Sequence, residues 1–369
     1  MRKLAIALAA GAVLIAPTAV DALQSRAVTE FTLVSTGDFI SQPALSEQAV
    51  AEGARTGRPN GDFSRVLGAI KPMVSGADVA ICHMETPVAG PGEPWTGYPI
   101  FNAPMGLVDT IAELGYDSCS TASNHTLDYG EPGLVRTLEA LDRVGVKHAG
   151  SARTEREAAN PTLLDVRGVK LGHLSYTYSF NGIPLPEGKP WAANLIDVPA
   201  ILAEARRARE AGAQVVVVSM HWGTEYQPEP DEGQTGIAAQ LLASPDVDLI
   251  IGTHAHVVQP LERIGSKWVQ YGMGNILVRF EDGSPENTQD AMATRFTFAK
   301  RGNSWEVSKV DVAPTWMEYH PSGRVVDLSA ELSRADLTEA QRASYRSAFD
   351  RIVRVAGSRG AGVSIVGAS

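Results

Sequence analysis

Polar side chains that can bind a metal ion stand at the ends of five short apolar runs in this sequence. They are carboxylates, an amide and imidazoles, at Asp38, Glu85, Asn124, His221 and the pair His254 and His256. A ligand set of oxygen and imidazole nitrogen without thiolate suits manganese, iron or zinc. Two such ions bridged by a carboxylate can activate water and polarise the oxygen under attack. These residues therefore predict a centre for metal-assisted hydrolysis.

Each of these residues also has an ordinary structural interpretation. Asp38 could form a turn or cap a helix, Glu85 could cap a loop, and His221 could be a hydrogen-bonded core histidine. The pair His254 and His256 is more specific, because alternate residues of a strand share one face. The metal centre is favoured over these separate interpretations because so many candidate ligands occur together. Four of the eight histidines stand at strand ends, namely His125, His221, His254 and His256.

The apolar runs that precede these residues have the length and composition of short strands. Examples are residues 79–82, 215–220 and 247–251, and segments with helical spacing such as residues 134–144 and 199–211 lie between such runs. This alternation predicts an α/β protein with largely parallel strands, closed by antiparallel strands within residues 291–319. The carboxyl ends of parallel strands line one crevice, so residues far apart in the sequence should meet there.

The N-terminal segment has the pattern of a secretory signal peptide. Arg2 and Lys3 precede an apolar run over residues 4–19, and small residues flank a cleavage site at Val20-Asp21-Ala22. We therefore predict a signal peptide over residues 1–22 and a secreted or cell-surface protein that begins near Leu23. An uncleaved N-terminal anchor is the alternative, for which the apolar run is slightly short.

Length and charge restrict the classes of protein further. The chain has 369 residues and a formal net charge of -10, and its mean hydropathy of -0.07 excludes a polytopic membrane protein. An acidic chain is a poor nucleic-acid binder, because neutralising phosphates requires a basic face. We expect one large domain over residues 29–325, followed by a C-terminal helix over 337–355 and a loose Gly/Ser-rich tail within residues 326–369.

The two cysteines of the chain, Cys82 and Cys119, lie in apolar runs that we interpret as neighbouring strands. Buried free thiols are the favoured prediction, since a chain of this size needs no disulfide scaffold. A disulfide between them is the alternative, because an exported protein meets oxidising conditions.

At the predicted metal ligands the sequence resembles the CapA family, the poly-γ-glutamate capsule biosynthesis proteins of the calcineurin-like metallophosphoesterase superfamily. The specific segments are Asn-His-x-x-Asp-Tyr-Gly over residues 124–130 and His-Trp-Gly-x-Glu-Tyr over residues 221–226. Further matching segments lie, in family order, at residues 35–38, 84–87, 148–150, 252–259 and 271–275. The resemblance implies a four-layer αββα sandwich with two mixed β-sheets, and a metal site at the strand ends.

The resemblance also implies a role for each residue of the site. Asp38 would bind a first ion, which His256 would complete, and Glu85 would bridge to a second ion. Asn124, His221 and His254 would hold that second ion. His125 would be the catalytic residue, standing beside the scissile bond as an acid or a charge stabiliser.

One position departs from the pattern of the wider superfamily. Classical members carry Asp-x-His in the first motif, and Ile40 stands here where the histidine would be. The first ion is therefore expected to bind more weakly than the second. His83, on the same strand face as Glu85 where relatives usually carry asparagine, could replace the missing ligand or could only support the others.

The functional prediction is an extracytoplasmic hydrolase or amide or ester transferase that uses two divalent ions and acts on an anionic cell-surface polymer or its precursor. Membrane-bound polymer synthesis proteins are the expected partners, and no nucleic acid is expected. One alternative is a non-enzymatic scaffold of a polymer synthesis or export complex. Another is a secreted phosphatase or nucleotidase, which is less favoured because residues 180–190 contain only Lys189 as a base.

Overall fold

The computed structural model of the chain describes residues 28–280 and 284–366. The signal peptide predicted over residues 1–22 lies outside the described residues. Among the described residues, no helix has the length and apolar character needed to cross a membrane.

The described strands are short and follow the predicted apolar runs. In chain order they are β1 (Glu30–Phe39), β2 (Val79–Met84), β3 (Ser118–Ser120), β4 (Lys147–Ala149), β5 (Thr162–Val166), β6 (Val169–Thr177), β7 (Val215–His221), β8 (Leu249–Thr253), β9 (Leu261–Ile264), β10 (Lys267–Gln270), β11 (Asn275–Leu277), β12 (Asp290–Arg301), β13 (Ser304–Glu318), β14 (Arg324–Asp327) and β15 (Ser364–Ile365).

The helices lie between these strands. They are α1 (Pro43–Thr56), α2 (Ser64–Leu67), α3 (Lys71–Ser75), α4 (Gly106–Leu114), α5 (Gly130–Arg143), α6 (Glu155–Ala159), α7 (Val198–Glu210), α8 (Glu232–Ala243), α9 (Leu328–Leu332) and α10 (Glu339–Ala356). Residues 64–75 are divided between α2 and α3, with a 3-10 turn at Gly68–Ile70 between them, because Pro72 near the start of α3 has no backbone N–H to donate to the preceding turn.

The strands form two mixed sheets. The larger sheet has the order β14-β13-β12-β1-β2-β3-β4, with β11 beside β1 and β15 beside β13, and the smaller sheet has the order β5-β6-β7-β8-β10-β9. Strands β1 to β4 pair in parallel, as do β6, β7, β8 and β10, whereas β12, β13 and β14 are antiparallel. The prediction of parallel strands closed by antiparallel ones is confirmed.

Three hydrophobic clusters hold the layers together. Phe31 and Leu33 of the larger sheet share the central cluster with Val217 and Leu249 of the smaller sheet. Side chains from α1 to α5 cover the outer face of the larger sheet, and α7 and α8 cover the outer face of the smaller one. The four-layer αββα sandwich implied by the resemblance is therefore confirmed.

The C-terminal segment packs against the same central cluster. Tyr345, Ala348 and Ile352 of α10, the helix predicted over residues 337–355, are buried in it. The predicted domain boundary at residue 325 falls within β14, and the predicted Gly/Ser-rich tail includes β15, which pairs with β13. The C-terminal segment is thus part of the sandwich rather than an appendage to it.

An ion pair anchors α10 to the larger sheet. Arg351 donates two hydrogen bonds to the Asp290 carboxylate, each 2.8 Å long, and Asp290 is only 2% exposed. Arg351→Ala leaves that buried carboxylate without its partner and should lower the free energy of unfolding by about 3 kcal/mol. Chemical denaturation measures the change, with Arg354→Ala on the exposed side of the same helix as the control. Equal effects of the two substitutions would contradict the anchoring role.

The two cysteines form a disulfide. Cys82 and Cys119 occupy paired positions on the adjacent strands β2 and β3, and their Cα atoms are 4.4 Å apart. The prediction of two free thiols is wrong, because the register of β2 and β3 brings the two side chains together on the helix-covered face of the sheet.

Candidate metal centre

The predicted ligands meet where parallel strands of the two sheets end. Asp38 lies at the end of β1 in register with His83 of β2, and His221 ends β7 beside Thr253 of β8. Glu85 follows β2 directly. Side chains from both sheets therefore lie in one buried cluster, as expected for residues at the carboxyl ends of parallel strands.

One corner of the cluster is formed by Asp38 and the loop after β8. The Asp38 carboxylate lies 3.3 Å from the backbone nitrogen of His254 and 3.2 Å from Nδ1 of His256. Asn275 accepts a hydrogen bond from His256 Nδ1 at 2.9 Å, which leaves Nε2 of that ring on the side of Glu85, 3.9 Å from its Oε1. Burial lowers the pKa of His256, but the carboxylates of Glu85 and Asp38 outweigh burial and raise it to about 9.

Glu85 has the least compensated side chain of the cluster. Both of its carboxylate oxygens are buried and have no hydrogen-bond partner among the described residues, and the residue is 1% exposed. Burial raises the pKa of the Glu85 carboxyl well above its usual range, and the Asp38 carboxylate raises it further. A carboxyl buried in this way is ionised at neutral pH only when a cation offsets the cost of burying its charge, and otherwise it is protonated.

The opposite corner is formed by Asn124 and His221. Nε2 of His221 lies 2.9 Å from Oδ1 of Asn124, and its Nδ1 lies 3.0 Å from the hydroxyl of Thr253. Burial, together with the neighbouring His83, lowers the pKa of His221 well below its usual value. The ring is therefore neutral at pH 7, which is the form that binds metal ions.

The loop after β8 holds its two histidines in an unusual backbone conformation. His254 has a φ of 90° and His256 a φ of 56°, which is the left-handed region that residues other than glycine rarely adopt. Nδ1 of His254 is buried without a hydrogen-bond partner among the described residues. Burial and the neighbouring His256 lower the pKa of His254 to about 2. Its ring is thus a neutral imidazole with an unused nitrogen.

His125 lies at the edge of the cluster and is oriented by its own turn. Its Nδ1 donates to Oδ2 of Asp128 at 2.7 Å, and the backbone nitrogen of Phe101 donates to the same oxygen at 2.7 Å. The Phe101 ring meets the imidazole edge to face, with centroids 4.7 Å apart. His125 is therefore held in one orientation, with Nε2 directed away from Asp128.

Ile40 stands where the superfamily pattern has a histidine, and His83 is the residue that could replace it or support the other ligands. Ile40 is buried in a small apolar cluster with Phe101 and Val278, so it contributes no ligand. His83 is buried within the metal-ligand cluster, and its ring stacks on that of His221 with centroids 4.7 Å apart. Asp38, His83, Glu85 and His221 each offer one ligand atom, and these atoms lie within 4.8 Å of one another.

Glu225 is a further acidic residue beside the cluster, and it is not among the ligands predicted from the sequence. It offers a carboxylate oxygen that lies within 4.8 Å of ligand atoms of His254 and His256. Its position in the His-Trp-Gly-x-Glu-Tyr segment was the available signal. Two half-exposed tyrosines cover the same side: the Tyr178 ring is tilted against that of His254 with centroids 4.4 Å apart, and the Tyr226 ring lies 6.1 Å from that of His256.

The donor set fits a divalent cation. The cluster combines two buried carboxylates with the imidazoles of His83, His221 and His254, whose lowered pKa values leave them neutral. Atoms of Glu85, His83 and His254 have no hydrogen-bond partner among the described residues. Oxygen and imidazole ligands of this kind suit manganese, iron or zinc. The ligand geometry thus supports metal binding.

The family to which the chain belongs follows from its match to a known family of proteins. Residues 32–279, more than half of the chain, match the family of the bacterial capsule synthesis protein PGA_cap. The chain belongs to this family. All the predicted metal ligands and His125 lie within the matched residues, so the resemblance to the CapA proteins is confirmed at the level of the PGA_cap family.

Curated relatives of this PGA_cap protein include two proteins named for capsule or PGA biosynthesis. The "Capsule biosynthesis protein CapA" of Bacillus anthracis is 26% identical over 202 residues, covering 53% of this chain and 48% of the relative. The "PGA biosynthesis protein CapA" of Bacillus subtilis is 28% identical over 211 residues, covering 56% and 53%. The chain thus spans about half the length of these curated relatives.

Solved structures similar to this PGA_cap protein include phosphoesterases. The calcineurin-like phosphoesterase YfkN from Bacillus subtilis is 13% identical with a TM-score of 0.44, covering 88% of this chain and 97% of that one. The 5'-nucleotidase precursor from Thermus thermophilus is 14% identical with a TM-score of 0.49, covering 88% and 58%.

Proposed function

We propose that this PGA_cap protein is a metal-dependent hydrolase or transferase that acts outside the cytoplasm on an anionic cell-surface polymer or its precursor. The observation that carries the proposal is the Glu85 carboxylate, which is buried at 1% exposure with neither oxygen hydrogen-bonded to a described residue. Such a group serves no purpose in packing, since an unpaired buried carboxylate destabilises the fold. It has a physical reason if it bridges two cations.

The proposed ligands would divide between two ions. Asp38 and His256 would hold the first, since Nδ1 of His256 lies close to both Asp38 and Asn275. Asn124, His221 and His254 would hold the second, since Nε2 of His221 contacts Asn124 and the rings of His221 and His254 lie 4.7 Å apart. Two divalent ions held in this way would activate water and polarise the bond under attack.

His125 is assigned the transfer of a proton to the leaving group. Asp128 accepts a hydrogen bond from its Nδ1, which fixes the orientation of the ring. Nε2 is then directed away from Asp128, where it can donate a proton. Asp128 also holds the Phe101 backbone, so the imidazole cannot turn away without breaking a second hydrogen bond.

Charge near the site supports an anionic substrate bound through metal ions rather than through basic side chains. Lys189 of the loop after β6 forms an ion pair with Glu131, and Arg136 forms an ion pair with Glu93 at 3.0 Å. Both bases are thus already neutralised by protein carboxylates. Positive charge for an anion would then come from the ions themselves, which favours a polymer carboxylate or amide over a clamped polyphosphate.

The location outside the cytoplasm is supported by two features. The N-terminal segment has the signal-peptide pattern, and Cys82 and Cys119 are joined by a disulfide. Disulfides persist in oxidising compartments and are rare in the cytosol.

Metal analysis and turnover on two substrate classes test the proposed function. Protein purified after growth in metal-replete medium should contain divalent metal, and should release glutamate oligomers from poly-γ-glutamate faster than it cleaves phosphoesters. Asp38→Asn should lower that activity by about a hundredfold, whereas Asp350→Asn on the exposed side of α10 should not change it.

Three outcomes would contradict the proposal in different ways. Protein that binds no divalent metal under these conditions would remove the basis of the metal centre. Protein that binds metal but leaves both substrate classes intact would indicate a non-enzymatic scaffold of a polymer synthesis complex. Faster cleavage of phosphoesters than of poly-γ-glutamate would indicate a phosphatase.

A further inference from the structure

His83 is a buried histidine whose two ring nitrogens have different surroundings. The residue precedes Glu85 by two positions on β2 and is 1% exposed. Its Nδ1 lies 2.7 Å from Oγ of Ser120, whereas its Nε2 has no hydrogen-bond partner among the described residues. Leaving a buried polar atom unpaired is costly, so Nε2 requires a physical explanation.

The hydrogen bonds around Ser120 determine which nitrogen of His83 carries the proton. Ser120 Oγ can donate its single hydrogen to the backbone carbonyl of Cys82 at 3.2 Å, since a carbonyl oxygen can only accept. With its hydrogen used in this way, the same Oγ accepts the hydrogen bond from His83 Nδ1–H. Nε2 of His83 then carries the free lone pair, which is the arrangement found in histidines that bind metal through Nε2.

The surroundings of His83 contain the other groups that a cation requires. Its position pairs with Asp38 in the register of β1 and β2, and its ring stacks on that of His221. The ligand atoms offered by Asp38, His83, Glu85 and His221 lie within 4.8 Å of one another. Among the described residues no hydrogen-bond donor contacts this lone pair, so a bound cation is the group that would satisfy it.

Ile40 explains why a ligand from β2 is needed. Its side chain packs with Phe101 and Val278 in an apolar cluster, so the position that supplies a histidine in classical members supplies none here. We infer that His83 replaces that histidine and binds the metal ion through Nε2, on the side of Asp38. This inference rests on the proposed metal-dependent function, and it makes the first ion site complete rather than weakened.

The disulfide of β2 and β3 holds the supporting pair in place. The register pairs Cys82 with Cys119 and, one residue further along, His83 with Ser120. The covalent link between Cys82 and Cys119 restrains the distance between β2 and β3. It therefore also restrains the distance between His83 and Ser120, which are the next residues along the same two strands. Ser120 is therefore a positioning residue that acts through His83.

Titration of metal-free protein with cobalt(II) tests the assignment. His83→Asn should weaken cobalt binding at one site by at least about tenfold, and Ser120→Ala should weaken it by about tenfold because it leaves the ring without its partner. His173→Asn is the matched control, since His173 is also fully buried between the sheets and bonds Ser118 and Ser219 at 2.8 Å each. It should leave the cobalt affinity unchanged.

Proton NMR of the cobalt-loaded protein provides a readout independent of activity and of stability. Each histidine that binds cobalt through Nε2 and retains its Nδ1–H gives one strongly shifted, exchangeable resonance. His83→Asn should remove one such resonance, and His173→Asn should remove none. An unchanged spectrum and affinity in His83→Asn, with cobalt bound normally by the wild type, would overturn the assignment of His83 alone. Failure of the wild type to bind cobalt would instead overturn the metal centre itself.

Discussion

Glu85→Gln is expected to lower the affinity for divalent cations by about a hundredfold or more, while leaving the metal-free protein at least as stable as the wild type. The substitution preserves the shape of the side chain and removes its charge. In the metal-free protein both carboxylate oxygens are buried without a hydrogen-bond partner among the described residues, and burial together with the Asp38 carboxylate raises the pKa of the carboxyl well above its usual range. Ionising the group there costs free energy, which its pairing with His256, 3.9 Å away, offsets only in part. In the metal-loaded protein the same charge binds the ions.

Thermal denaturation with and without metal measures both effects. At a free metal concentration of a hundred times the dissociation constant, binding adds about 2.7 kcal/mol to the stability of the wild type. Glu85→Gln should lose most of this increment and keep the metal-free melting temperature. Glu187→Gln removes an exposed carboxylate from the loop after β6 and serves as the control. A metal-free Glu85→Gln protein that is much less stable would show that Glu85 is structural.

His125→Ala is expected to reduce turnover by about a hundredfold to ten-thousandfold, the range for a general acid, while the metal content stays unchanged. Turnover and metal content should respond differently because the His125 ring is hydrogen-bonded to Asp128 and packed against Phe101 at the edge of the cluster. Asp128→Asn should cause a smaller loss, since it keeps the imidazole but weakens its orientation.

Turnover on the substrate that the wild type accepts, measured together with metal content, distinguishes the roles of His125. The control is His320→Ala, which replaces an exposed histidine after β13. Loss of metal together with activity would make His125 a ligand. Unchanged activity and metal content would assign it a structural role.

Much of the layout could be predicted because apolar runs and polar strand ends are local signals. β7 and β8 are continuous apolar segments that are buried over their whole length, and each ends in a polar residue. Helix α1 lacks such a signal, because its buried face consists of Leu45, Ser46, Ala49 and Gly53. Small and polar residues on a buried face leave no apolar periodicity to detect.

The candidate site was predictable by residue type but not by contact. The sequence identifies imidazoles and carboxylates at strand ends, and the structure places them together. The sequence could not show that Asn275 orients His256 or that Ser120 orients His83. These contacts depend on the strand register and on how segments far apart in the sequence pack together. The disulfide was only the less favoured alternative for the same reason. A shift of one residue in the strand register decides whether two cysteines lie on the same face of the sheet.

The left-handed backbone of His254 and His256 has a consequence for how such a protein changes over generations. An L-residue in this conformation costs about 1 kcal/mol or more relative to glycine, which adopts it freely. Selection for a stable fold alone would therefore favour glycine at both positions. The histidines can persist only while their imidazoles are in use, so a descendant released from metal chemistry should drift toward glycine in this loop before its sheets change.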